Sequence, residues 1–209
     1  MDISHCQHSQ LNMRILQCLV DEAELLGHMG TFENIMALEG AKKLDHVALV
    51  VRNKNALLDL QERLLSIGGC VKRPVHLWPV SNGRNETVHW KNKKYMLEVI
   101  VQGLLVVGVA PVRKSDCMGV FLGACETKIH HLAILVDNLE LSVAKLKKNH
   151  YLKSLGSVAE KPDTLKQVIM EGLDGRLVEI VWRKNASEIE LDIGNTASLS
   201  ESLRVNTRN

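Results

Sequence analysis

Two histidines and two glutamates stand at matching places in two similar stretches of the chain. Residues 44–53 read LDHVALVVRN and residues 129–138 read IHHLAILVDN, so His46 matches His131 and Asn53 matches Asn138. Further on, KYMLEVIV (94–101) and GRLVEIVW (175–182) each set one glutamate, Glu98 or Glu179, among aliphatic residues. Side chains alternate faces along a strand, so each Glu shares its face with aliphatic neighbours. An unpaired carboxylate in such surroundings is strongly disfavoured and needs a cation, hydrogen bonds or a raised pKa. If the two stretches pair about a pseudo-twofold axis, His46, Glu98, His131 and Glu179 converge from four strands. Two imidazoles and two carboxylates suit one borderline divalent ion, with Co, Ni, Zn, Mn or Fe as candidates. Two negative carboxylates and a doubly charged cation also sum to neutrality. Any water on such an ion is acidified and replaceable by substrate oxygens. Taken singly, each of the four reads equally well as an ordinary polar strand residue; their joint placement by a repeat is what groups them.

The elements that must carry these residues recur in the same order. Each aliphatic, β-branched stretch at 44–53 and 129–138 predicts a strand. A helical pattern follows each: Leu57, Leu60, Leu64 and Ile67 at three- and four-residue spacing before Gly68-Gly69, then Leu139, Val143 and Leu146. Extended segments follow. The result is two modules of βα plus strands, 44–101 and 129–183, with 102–128 as a connecting loop that has room for one further strand. Residues 1–40 form an N-terminal extension with one amphipathic helix, whose stripe is Leu11, Ile15, Leu19 and Leu26. Met36 could serve as an alternative start. Residues 186–209, rich in Ser, Asn, Thr and charge, read as a flexible tail.

Composition narrows the function classes. The chain of 209 residues is 45% hydrophobic and 24% charged, within the range of globular proteins. Lys and Arg number 26 against 24 Asp and Glu, and aromatics make up only 3%, so neither charge nor stacking supports a nucleic-acid partner. The longest apolar stretch, Val99 to Ala110, is too short to span a bilayer, which needs about 20 residues. The start shows no secretory signal, and the five widely spaced cysteines form neither a zinc ribbon nor a disulfide framework. These readings predict a cytoplasmic protein with no membrane partner.

The segments DHVALVV (45–51), MLEVI (96–100), HHLAILVDN (130–138) and DGRLVEIV (174–181) resemble the vicinal oxygen chelate superfamily, which includes glyoxalase I, methylmalonyl-CoA epimerase, extradiol dioxygenases and bleomycin-resistance proteins. The resemblance covers residues 44–183. It implies an α+β fold in which two βαβββ modules pair into a cupped mixed sheet around one metal. By position it places the metal ligands on His46, Glu98, His131 and Glu179, and it turns His130 away from the cup. A filled set of four leans toward the isomerase branch, where the substrate is held as a metal-bound enediolate while a carboxylate, Glu98 or Glu179, moves the proton beside a carbonyl.

Within that branch IHHLAILVDNLELSVAKLKK is more similar to methylmalonyl-CoA epimerase, and the implied substrate is a small molecule, a thioester or a glutathione adduct. Val50 and LQERLLSIGG depart from the glyoxalase pattern, which leaves a glyoxalase I (lactoylglutathione lyase)-like enzyme as an alternative. A non-catalytic small-molecule binding protein and an iron-dependent dioxygenase, which needs two His and one Glu, are the others. Paired modules can complete a cup within one chain or across a homodimer. His76, Trp78 and His89 could line the cup, and Arg73 and Arg84 could grip an anionic substrate group.

Overall fold

The computed structural model describes residues 14–37, 40–78, 93–148, 152–154, 158–161, 164–172 and 175–185. Among them the helices are α1 (Glu22–Met36), α2 (Lys54–Ser66), α3 (Cys117–Leu122) and α4 (Leu139–Lys148). The strands are β1 (Ala41–Val51), β2 (Cys70–Trp78), β3 (Lys94–Val101), β4 (Leu104–Pro111), β5 (Thr127–Val136), β6 (Leu152–Ser154), β7 (Ala159–Lys161), β8 (Leu165–Gly172) and β9 (Leu177–Arg183). They form one mixed sheet in the order β2-β3-β4-β1-β5-β9-β8-β6, with β7 paired to β8. The α+β architecture of paired modules is the one the repeat predicts.

The first module runs one strand further than the sequence pattern suggests. β3 does not close it. A two-residue turn at Gln102 and Gly103, with φ 50° and 86°, folds the chain straight back into β4. β4 then lies parallel to β1, as β9 lies parallel to β5. The module therefore reaches Pro111 instead of ending at 101, and 102–128 holds β4, the further strand for which it has room, and α3. The physical reason is burial: LLVVGVAP is enclosed along its whole length, so it shows none of the alternation that marks a half-exposed strand.

Between the modules, β1 and β5 pair antiparallel. One side of the sheet is covered by helices. α2 starts at Asn53, whose side chain accepts from Ala56 N at 3.0 Å, and Asn138 opens α4 in the same way, accepting from Leu141 N at 2.9 Å. Leu57, Leu60 and Leu64 of α2 are fully buried. They sit directly on the backbone at Gly108, where an added Cβ would come within 2.5 Å of Leu57 and 3.1 Å of Leu60. α1 packs on the same side, and Glu24 accepts from the backbone N–H of Ile129 on β5 at 2.9 Å. The N-terminal stripe is only partly as expected. Ile15 and Leu19 are buried, Leu26 is 63% exposed, and the buried positions of α1 are instead Leu25, Phe32 and Ile35. Leu11 and the 186–209 tail lie outside the described residues. No described helix is long and apolar enough to cross a membrane.

The other side of the sheet is the one that the resemblance makes concave. Its module-one half is lined by Ala48, Val50, Met96, Leu105 and Val107, with Met118 and Leu122 of α3 packed on it. Ala133, Leu135, Leu165 and Val181 form the corresponding cluster of module two. Truncating Leu60 to alanine should cost about 2–5 kcal/mol in a chemical unfolding experiment, because α2 is too closely seated to collapse into the space left. A loss below about 1 kcal/mol would show that α2 does not anchor β4.

Candidate metal centre

Both histidines rise from the seam between the modules. In the β1–β5 register His46 lies opposite Ala133, and Ala48 opposite His131. The two imidazoles are therefore diagonal neighbours across an antiparallel pair, within reach of each other over two small alanines. Each stands at a β-bulge. Leu44 pairs with Ile134 and His46 with Ala133, so Asp45 is an extra residue on β1. Ala48 pairs with His131 and Leu49 with Ile129, so His130 is an extra residue on β5. A bulge breaks the alternation and re-aims a side chain, which lets Asp45 and His130 reach the rings of their own neighbours.

Glu179 enters from β9, beside Ala133 in the parallel β5–β9 register. His46 Nε2 lies 3.1 Å from Glu179 Oε2 and 3.2 Å from His131 Nε2, and His131 Nε2 lies 3.5 Å from the same carboxylate oxygen. All three side chains are buried, at 2–4% exposure. Donor atoms bound at about 2.1 Å to one ion sit about 3.0 Å apart in an octahedral arrangement and about 3.4 Å apart in a tetrahedral one. The observed separations match that range, so this donor set fits a divalent cation.

Glu98 is not part of it. Three residues, His46, His131 and Glu179, have donor atoms within 4.8 Å of one another among the described residues, and Glu98 is absent from that group. The registers explain why. Glu179 pairs with Ala133, and the equivalent pairing in module one is Ala48 with Val107 on β4. Val107 thus holds the place that a fourth ligand would take. Glu98 lies one strand further out, opposite Val107 on β3. It is fully buried, both carboxylate oxygens lack a hydrogen-bond partner, and the half-exposed Arg73 approaches no closer than 3.7 Å.

His130 meets expectation in part. Turned from the cup, it would suit a surface or a hydrogen-bonding role; it is 2% exposed, so the surface role fails and the hydrogen-bonding one holds. Its Nδ1 lies 2.7 Å from Nδ1 of His131, and its ring meets Phe121 of α3 edge-on. With a cation at its Nε2, His131 would carry its proton on Nδ1 and donate it to His130. That tautomer leaves His130 protonated on Nε2, an atom buried without a partner. Burial, then the charge of His131, hold His130 well below its usual pKa, so it is neutral.

Two residues that the sequence analysis did not single out complete the site. Asp45 accepts from His46 Nδ1 at 2.9 Å, and Arg183 of β9 donates to both oxygens of Asp45, from Nε at 3.0 Å and from Nη2 at 2.9 Å. The only sequence signal was position: an acid directly before His46, and a cation closing a buried strand. Of the other candidate site residues, Trp78 is buried with the Lys94 ammonium 5.1 Å from its ring, and His76 is half-buried with Nδ1 2.9 Å from Pro74 O. Arg84 and His89 lie outside the described residues.

Charge at the site is strongly coupled. Burial alone would lower the His46 pKa, but hydrogen bonds to Asp45 and Glu179 outweigh it and raise the group to about 9. Burial would raise Glu179, yet hydrogen bonds from His131 and His46 hold it near 2. His131 is lowered, chiefly by burial.

Comparison with known proteins bears on the fold. No protein-family profile matches the sequence, and no curated protein matches it. Solved structures do. Methylmalonyl-CoA epimerase from Mycobacterium tuberculosis is similar with a TM-score of 0.51 at 16% identity, over 70% of this chain and 91% of that one. A mutant of 4-hydroxymandelate synthase from Streptomyces coelicolor gives 0.60 at 17% identity, over 80% of this chain. The chain spans only 55% of the length of that synthase. The likeness shows the fold alone: this chain folds as these two solved structures do. In this chain a buried His-His-Glu group lies at the seam of the two modules.

Metal-free protein should lose stability with rising pH. A His46 pKa raised in the folded state stabilises fully below the unfolded value of about 6.5, and that contribution disappears as pH passes about 9. Denaturant midpoints measured across this window should fall for the wild type and fall less for His46→Gln. Parallel curves for the two proteins would contradict the charge assignment.

Proposed function

We propose that the chain is a metal-dependent enzyme of the vicinal oxygen chelate type in which His46, His131 and Glu179 hold one divalent ion, with ferrous iron favoured and an oxygen-using reaction as its chemistry. One observation carries this reading: Val107, not an acid, occupies the module-one position equivalent to Glu179. A donor set of two histidines and one carboxylate leaves open positions and is the pattern of non-haem ferrous oxygenases. The four-ligand set that pointed to an isomerase has lost one member. A ferrous ion held there would supply one-electron chemistry with dioxygen.

The residues of the chain have definable tasks. His46 and His131 each present Nε2 to the site, with Nδ1 engaged by Asp45 and His130. Glu179 brings the negative charge that offsets the cation. Ala48, Val107, Ala133 and Val181 make the neighbouring wall apolar, which excludes water and strengthens every electrostatic contact within. Substrate is a small molecule that enters the concave side. The name of the synthase among the structural neighbours supports aromatic acids as the first substrates to try.

Glu98 supports a second reading. A fully buried carboxylate without a hydrogen-bond partner on the same side of the sheet is the type of group that carries a proton in an isomerase, and an epimerase acting on methylmalonyl-CoA is among the neighbours. Elemental analysis followed by two assays separates the readings. The oxygenase reading predicts about one iron per chain and oxygen uptake with catechols or an aromatic 2-oxo acid, both lost in Glu179→Ala and kept in Glu98→Gln. Solvent deuterium exchange into methylmalonyl-CoA without oxygen uptake, abolished in Glu98→Gln, would overturn it in favour of the isomerase.

A further inference from the structure

We infer that Asp45 and Arg183 are positioning residues that fix His46 in the tautomer and orientation a metal ligand needs; this rests on the reading of His46 as a ligand. Nothing in the β1 alternation would bring Asp45 to His46. The bulge does so, and the resulting contact is between adjacent residues, both buried. A buried carboxylate with one partner would be free to rotate or to protonate. Arg183 prevents both, because its fork occupies both oxygens in a bidentate pair. The side chains of Asp45 and Arg183 are 1% and 5% exposed, so the pair sits in low dielectric, where losing either partner leaves an orphaned charge.

Two further features argue that the pair serves the site and not the fold alone. The first is connectivity. Arg183 and Glu179 belong to the same strand, so β9 supplies one donor directly and steadies a second through Asp45. The second is asymmetry. The position equivalent to Asp45 in module two is His130, and β4, the counterpart of β9, carries no arginine. A device inherited from the duplication would appear twice. It exists only where a ring must keep Nδ1 protonated against an anion, with Nε2 left toward His131 and Glu179. The other ring reaches the same tautomer through a neutral neighbour, so the group carries a single charged support.

Single variants such as Arg183→Met strand Asp45 in the interior and risk misfolding, so the test centres on the double variant Asp45→Asn/Arg183→Met, which removes both charges, with Arg183→Lys as the conservative control. Two readouts are taken. Long-range nitrogen–proton spectra of the metal-free full-length protein report the Nδ1–H of His46 and its hydrogen bond without any metal, and zinc titration against a chromophoric chelator reports affinity. The wild type should show His46 with Nδ1–H engaged. The double variant should keep its circular dichroism, lose that signature and bind zinc about 10- to 100-fold more weakly. Arg183→Lys, which keeps the charge and loses the fork, should fall between. A folded double variant with the wild-type His46 signature and zinc affinity would overturn the inference. If the wild type binds no zinc while His46 shows the engaged signature, the reading of the site as a metal centre fails and the positioning of His46 stands.

Discussion

The antiparallel pairing of β1 with β5 is the constraint on which the rest depends. Among the described residues it is the one place where the two modules exchange backbone hydrogen bonds, and its register sets both histidines diagonally across the seam. A slip by one residue would turn every side chain of one strand to the opposite face, sending one imidazole into the helix-covered core. The register is held from both sides. Val47, Leu49, Ile129, Leu132 and Ile134 are buried beneath the helices, while Ala48 and Ala133 give the rings room on the concave side. Function and folding thus draw on the same strand pair.

That arrangement carries a cost. Two rings, a carboxylate, an aspartate and an arginine are buried within a sheet otherwise made of Val, Leu and Ile. Each is matched to a partner: His46 to Asp45 and Glu179, His131 to Glu179 and His130, Asp45 to Arg183. Without a cation the charges of Glu179 and a protonated His46 offset each other. To hold a cation, His46 would have to give up its Nε2 proton. With Glu179 as the one carboxylate of the group, a divalent ion would leave one net positive charge there, which an anionic group of the substrate would offset.

Much of this was legible in the residues. The repeat, the βα order of each module and the convergence of His46, His131 and Glu179 all follow from matched spacing. The fourth ligand was misread for a definite reason. MLEVI on β3 mimics the LVEIV of β9 in composition and in the facing of its glutamate, but sheet order, not local pattern, decides which strand lies beside β1. Composition alone could not reveal that order, because β4 is uniformly apolar and carries no face signal. The bulges were hidden too, since an added residue in a strand looks like any other until its partner strand is known. Hence Asp45, His130 and Arg183 were read as ordinary neighbours or not considered.

The claim that three side chains from two modules share one cation is tested most directly by X-ray absorption of the protein loaded with one equivalent of iron(II) or cobalt(II). The account predicts a first shell of nitrogen and oxygen only, with the multiple-scattering signature of two imidazoles, reduced to one in His131→Ala. A shell containing sulfur, or a two-imidazole signature that survives His131→Ala, would place the metal elsewhere and contradict it.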